Sequence, residues 1–263
     1  MVDSIYSTLT GMVRQGKAVS LATVIAVRSE AGGAEVQDVQ DVRAGAKLLI
    51  PATGEPVGAI HPAVDEKIAR DAAHLLADER SQTITYGLPG GSIEVFIESF
   101  PPPQHLVIVG AVHVGIALAR LGKMLGYHVT VVDPRQIFAN KARFPEADRI
   151  IVEWPEEALR SIDLNMSTYV VVLTHDPKLD LPALMVAISS PVRYVGAIGS
   201  RTTVAQRKAD LIEMGAGEEQ VARIHSPVGL NIGARTPAEI AVSIMAEIIA
   251  VRRKAGGQTG LTG

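Results

Sequence analysis

Apolar residues keep one rhythm through the first hundred positions of the chain and a different one afterwards. Ile5, Leu9, Met12 and Val13 recur at helical spacing, which predicts a helix over residues 4–15 with Gly16 as its stop. Residues 18–27 are rich in Val, Ile and Thr and predict a strand. Two short apolar runs, 47–50 and 57–60, flank the turn pair Thr53-Gly54 and predict a hairpin. Val64, Ile68, Ala72 and Leu75 share one face of a predicted helix over 63–76, and Asp65 and Glu66 lie in its first turn, where carboxylates suit the dipole. Ile93, Val95 and Ile97 alternate with Glu94, Phe96 and Glu98, as in a strand with one apolar face. The polar, acidic stretch 31–46 predicts a loop.

Pro101, Pro102 and Pro103 break this pattern. Three residues without a backbone donor favour a stiff, extended connector. Beyond them, apolar strands at 105–109, 128–132, 149–152, 169–173 and 192–195 alternate with helical stretches at 114–125, 155–160, 182–188 and 202–214. Alternation of this kind implies a parallel sheet with helices on both faces. The last helix, predicted over 237–253, opens with Thr236 as N-cap, Pro237 at the first helical position and Glu239 completing a capping box. The expected fold class is α/β: a C-terminal Rossmann-type parallel sheet over 105–254, joined by a proline linker at 101–104 to a small N-terminal α+β domain over 1–100. A glycine-rich, flexible tail is expected over 255–263.

Composition narrows the function. Hydrophobic residues make up 47%, enough for a real core, and the net charge of −3 with no basic block gives no footprint for nucleic acid. Cysteine is absent, which removes disulfides, thiolate metal sites and thiol nucleophiles. Residues 1–10 carry Asp3 and several hydroxyls and do not read as a signal peptide, and charges interrupt every apolar run before it reaches the length of a membrane span. A soluble, cytoplasmic protein with neither nucleic-acid nor membrane partner is expected. No spacing of His, Asp and Glu predicts a metal site.

The chemistry concentrates after the prolines. The first strand of the second half runs into Gly110, Ala111, Val112, His113, Val114 and Gly115, then a helix. In dinucleotide sites the first glycine makes the tight turn, the middle one lets backbone approach pyrophosphate, and the last lets helix pack on strand. Here the middle position is Val112. Asp133 follows about 20 residues later, at the end of the second strand, where an acid grips a ribose 2′-hydroxyl and favours NAD over NADP. Arg135, after Pro134, is placed to accept the 2′-phosphate of NADP instead; the plainer reading is that Asp133 and Pro134 cap a strand and start a turn. Thr174, His175 and Asp176 follow the fourth strand, on the sheet edge where ligands bind. Gly199, Ser200 and Arg201 form either a second anion site or an ordinary helix cap. His61, His113 and Lys47 are the candidates for acid–base work, against turn histidines and a strand-edge lysine as the structural alternatives.

Several segments together resemble the xanthine dehydrogenase accessory protein family (XdhC/CoxI-like). They are Gly110 to Gly115, the run from Val131 to Arg135, Phe138 to Asn140 with Arg143 to Pro145, and Tyr169 to Thr174. Tyr194 to Arg201, His225 to Gly233 and Thr236 to Ile240 complete the set. The resemblance implies a small N-terminal domain packed on a C-terminal Rossmann domain, often as a homodimer. It further implies a protein that binds molybdenum cofactor (molybdopterin), protects it while a sulfido ligand is installed, and delivers it to a molybdenum hydroxylase such as xanthine dehydrogenase. The family's two usual cysteine positions fall in stretches 58–65 and 87–91, which here hold none, although a sulfurated metal centre would suit soft thiolate ligands. Two other readings stand beside this one. One is an NAD(P)-dependent oxidoreductase acting on a small polar substrate in the interdomain cleft, with His61, His113 or Lys47 supplying the proton. The other is a non-catalytic nucleotide sensor.

Overall fold

The computed structural model describes residues 2–29 and 39–253. The expected tail and the first half of the expected acidic loop, residues 31–38, lie outside the described residues. The chain divides into two compact units, Met1–Pro102 and Pro103–Gly263, with the division inside the proline run.

The first unit contains helix α1 (Val2–Arg14), strands β1 (Val19–Ser29), β2 (Lys47–Pro51) and β3 (Val57–Gly58), helix α2 (Asp65–Ala77), and strands β4 (Gln82–Leu88) and β5 (Gly91–Phe100). Its sheet is antiparallel throughout, in the order β3-β2-β1-β5-β4. The alternation read in β5 sends Ile93, Val95 and Ile97 into the core, where Ile68, Ala72 and Leu75 of α2 meet the same cluster. The expected hairpin forms, with Leu48 opposite Gly58 and Leu49 opposite Val57. Strand β4 was not anticipated. Its exposed first half carries polar residues, and only Tyr86 and Leu88 are buried in it, so pairing with β5 rather than its own pattern makes it a strand.

The second unit runs β6 (His105–Val109), α3 (His113–Met124), β7 (His128–Val132), β8 (Arg149–Ile151), α4 (Pro155–Arg160), β9 (Thr168–Val172), α5 (Pro177–Ser189), β10 (Tyr194–Ala197), α6 (Arg201–Glu213), α7 (Glu218–Ala222), β11 (Ile224–His225) and α8 (Pro237–Arg252). All its strands are parallel, in the order β11-β10-β9-β6-β7-β8. One apolar cluster fills the face under α3 and α8, and another the face under α4 and α5. The strand order reverses between β6 and β9, the switch point at which such sheets open a crevice beyond their carboxyl ends. Helix α5 starts five residues before the expected position, because Pro177 takes the first helical position and Asp176 caps it; Pro182 lies inside the helix instead of opening it.

Candidate functional site

Three loops meet at the switch point. Strand β6 runs into Gly110, whose φ of +109° suits only glycine, and a Cβ there would lie 2.9 Å from Thr174 Cγ2 and 3.1 Å from the Thr174 amide nitrogen. A Cβ on Gly115 would lie 2.8 Å from the carbonyl oxygen of Gly110, so its absence lets α3 seat against the turn. Val112, in the middle, caps α3 with an extended backbone (φ −90°, ψ 176°) that valine adopts without strain. Its half-buried side chain packs on the cluster that includes Val114 and Leu118. The turn therefore closes without its middle glycine. His113 is exposed at the start of α3, whose first-turn amides have no intrahelical acceptor.

Asp133 is fully buried at the end of β7. Its carboxylate accepts from the Ala111 amide (2.8 Å), the Arg135 amide (2.9 Å), and Arg135 Nε (2.9 Å) and Nη2 (2.8 Å). Burial alone would raise its pKa; the Arg135 side chain, the two amides and the guanidinium charge outweigh burial and hold the carboxyl below the usual range. As it stands, Asp133 braces the glycine turn against the loop after β7, and its acceptors are engaged within the protein.

On the other side of the turn, the Thr174 hydroxyl bonds the Asp180 carboxylate. Asp180 pairs with Arg207 Nη2 at 3.2 Å, and that nitrogen also donates to the Ile198 carbonyl at 2.9 Å. Arg207 Nη1 reaches Ser226 Oγ at 3.2 Å. Both charged partners are buried. Burial raises the Asp180 pKa, and the bonds from Thr174 and Arg207 offset only part of that rise. Exposed His175 takes a left-handed conformation (φ +63°), uncommon outside glycine, and exposed Asp176 caps α5 by accepting from the Lys178 amide at 3.0 Å. A small pocket of about 70 Å³ lies here, lined by His175, Asp180, Thr203, Gln206 and Arg207 among others.

At Gly199, Ser200 and Arg201, the Ser200 hydroxyl caps α6 by accepting from the Thr203 amide at 3.2 Å. Arg201 is the first residue of α6, and its side chain lies outside the described residues. His61 and Lys47 belong to the first unit. His61 Nδ1 accepts from the Ala63 amide at 3.2 Å, as a turn histidine does, and Lys47 Nζ donates to Thr23 Oγ1 at 3.0 Å from the first position of β2. Among the described residues, no group of three His, Cys, Asp or Glu side chains is placed to hold a metal ion, and no helix is long and apolar enough to cross a membrane.

Sequence reading missed two polar clusters, one buried and one partly buried. One is Asp180 with Arg207, single charges in two separate helices. The other joins Tyr194, Glu247 and His225: Glu247 accepts from the Tyr194 hydroxyl (2.5 Å) and the Gly229 amide (2.9 Å), and His225 stacks on Tyr194 with ring centroids 4.7 Å apart. Burial, then the neighbouring Glu247 carboxylate, push the Tyr194 hydroxyl far above its ordinary pKa. The signals near this group were the runs from Tyr194 to Arg201 and from His225 to Gly233, neither of which assigned chemistry to Tyr194, Glu247 or His225.

Residues 106–248, which take in most of α8 and all of the β6–β11 sheet but His105, match the family model described as the XdhC Rossmann domain. The chain belongs to the XdhC family. A Bacillus subtilis protein, named as a probable component of xanthine dehydrogenase, is 34% identical over 160 residues, covering 61% of this chain and 46% of that protein. The Escherichia coli protein PaoD, named a molybdenum cofactor insertion chaperone, is 30% identical over 163 residues, covering 62% of this chain and 45% of its own length. The matches thus span a little under half the length of these relatives. A crystal structure from Bacillus halodurans, described as a xanthine dehydrogenase, shares the fold with a TM-score of 0.53 at 20% identity, over 96% of this chain and 97% of that one.

Proposed function

We propose that this XdhC chain belongs to an accessory protein that binds molybdenum cofactor in the crevice beyond β6 and β9 and hands it to a molybdenum hydroxylase of the xanthine dehydrogenase kind. The observation that carries this reading is that the domain forming the crevice is matched by the XdhC model, while PaoD, a relative across much of the chain, is named for inserting that cofactor. The residues present fit the organic, anionic part of such a group. Gly110 lets the turn close tightly against Thr174, and the first turn of α3 offers amides and a positive dipole end to a negative ligand. They do not offer thiolate ligands to its metal, since the chain has no cysteine. When bound, the cofactor supplies the molybdenum that its client needs. The chain's own task is to hold the pterin end. The brace from Asp133 to Ala111 and Arg135 keeps the turn in shape, and Thr174, fixed by Asp180 and Arg207, closes its other side.

A nicotinamide-dependent oxidoreductase is the second reading, favoured by the two glycines that keep their dinucleotide-site roles and by His113 exposed beside them. It has to accommodate Asp133, whose acceptors are engaged. Calorimetric titration of the full chain with molybdopterin, NAD and NADP separates the two. Tight molybdopterin binding without turnover is expected. Substrate-dependent absorbance of reduced nicotinamide, with no affinity for molybdopterin, would replace the first reading by the second.

A further inference from the structure

The loop between β7 and β8 carries a pair of arginines, of which the proposed function uses only Arg135, in its brace with Asp133. Arg135 and Arg143 both lie over Phe138, with guanidinium carbons 4.7 and 5.2 Å from the ring centroid. The loop is set from within. The amides of Phe138 and Ala139 donate to the Arg135 carbonyl, Asn140 Nδ2 donates to the Ile137 carbonyl at 2.9 Å, and Asn140 Oδ1 accepts from the Arg143 amide at 3.1 Å. Ala139, Phe144 and Ala147 are buried and anchor it to the core.

Two guanidinium groups held on one ring repel each other unless anions join them. Asp133 serves Arg135, and Lys141 is engaged with the Ala147 carbonyl at 2.5 Å. Arg143 pairs with no carboxylate among the described residues. The pair sits just beyond the carboxyl end of the second Rossmann strand, where the distal half of a nucleotide lies in folds of this kind and where an arginine receives a ribose phosphate. A planar guanidinium fork matches phosphate geometry and charge.

We infer that Arg143, together with Arg135 on the Phe138 ring, is a clamp for a phosphate monoester carried at the distal end of the ligand in the crevice. The inference rests on the crevice being the ligand site, as proposed above. The phosphate has two possible sources of the same chemistry, the 2′-phosphate of an adenosine ribose and the phosphate ester of a pterin.

The test is calorimetry on the full chain with two matched pairs of probes. One pair is 2′,5′-ADP and 5′-AMP; the other is the stable oxidised pterin derivative of molybdopterin before and after phosphatase treatment. The expected result is a preference of tenfold or more for the member that carries the additional phosphate in at least one pair. Arg143→Ala abolishes that preference and leaves affinity for the member without the additional phosphate unchanged, and Arg143→Lys restores part of the preference. Should the alanine variant fail to fold, Arg143→Gln, which keeps much of the stem on Phe138, provides the same comparison. A preference within the adenosine pair identifies a ribose phosphate, and one within the pterin pair identifies the cofactor's own. Wild-type protein indifferent to the phosphate in both pairs, or Arg143→Ala with its preference intact, overturns the clamp. Discrimination of 2′,5′-ADP without any pterin binding leaves the clamp standing and removes the accessory role.

Discussion

Gly110 combines two constraints that separate substitutions can tell apart. Its φ of +109° disfavours any side chain, and the space a Cβ would occupy is taken by Thr174, including that residue's backbone. Gly126, after α3, has a similar φ of +82° but nothing within 4 Å of a built Cβ. Gly126→Ala should therefore cost about 1 kcal/mol, the conformational term alone. Gly110→Ala should cost that and roughly 1–3 kcal/mol more, because backbone has to move for the Cβ to fit. Urea unfolding of both variants checks the difference, and equal losses would mean that the β6 turn is looser than the packing indicates. The glycines of this turn were legible in the sequence because their spacing lies within six residues. The engagement of Asp133 was not. Nothing in the order of residues says that the Ala111 amide, 22 positions earlier, takes one of its oxygens.

At the scale of elements, end signals were read well and short elements poorly. Helix α8 starts where Thr236, Pro237 and Glu239 place it, with Thr236 Oγ1 accepting from the Glu239 amide (3.3 Å) and Glu239 Oε2 from the Thr236 amide (2.9 Å). Thr236→Ala removes one half of this box and should lower stability by about 1 kcal/mol. The buried Ala241, Ile244 and Ile248 share a core cluster with Leu118 of α3, so thermal denaturation of the whole second unit should report the loss. A variant that melts with the wild type would show that the helix end contributes nothing to that core. Helix α7, five residues long, and β11, two residues long, escaped notice because neither is long enough for its hydrophobic period to repeat. Only the neighbouring β10 makes β11 a strand.

At the scale of the molecule, the two units bury separate apolar clusters, and the second carries groups whose titration links its stability to pH. His105 is the clearest. Burial lowers its pKa from 6.5 to about 4, helped by the charges of His128 and Arg149 and opposed by Asp148 and Asp163. With the folded pKa below the unfolded value, acidification protonates the unfolded chain first. The contribution of neutral His105 is thus complete above pH 6.5 and lost as pH falls from there to about 4. The loss should be on the order of 2 kcal/mol. Asp133 and Glu247 are held below the ordinary carboxylate range, so their contributions are lost at still lower pH. Urea midpoints measured from pH 7 to 4 should fall for the wild type and stay flatter for His105→Gln; parallel curves would remove His105 from the account.

From sequence alone came the elements with clear period or caps, their alternation, the Rossmann class and the glycine turn. Each depends on residues a few positions apart, and backbone geometry ties such neighbours to one another wherever the chain goes. Tertiary structure alone decided which polar groups meet. The bond between Asp180 and Arg207 spans 27 residues and that between Tyr194 and Glu247 spans 53. Such partners become neighbours only when successive crossovers return the chain to the same sheet edge, and no local pattern records which side chains will face each other there.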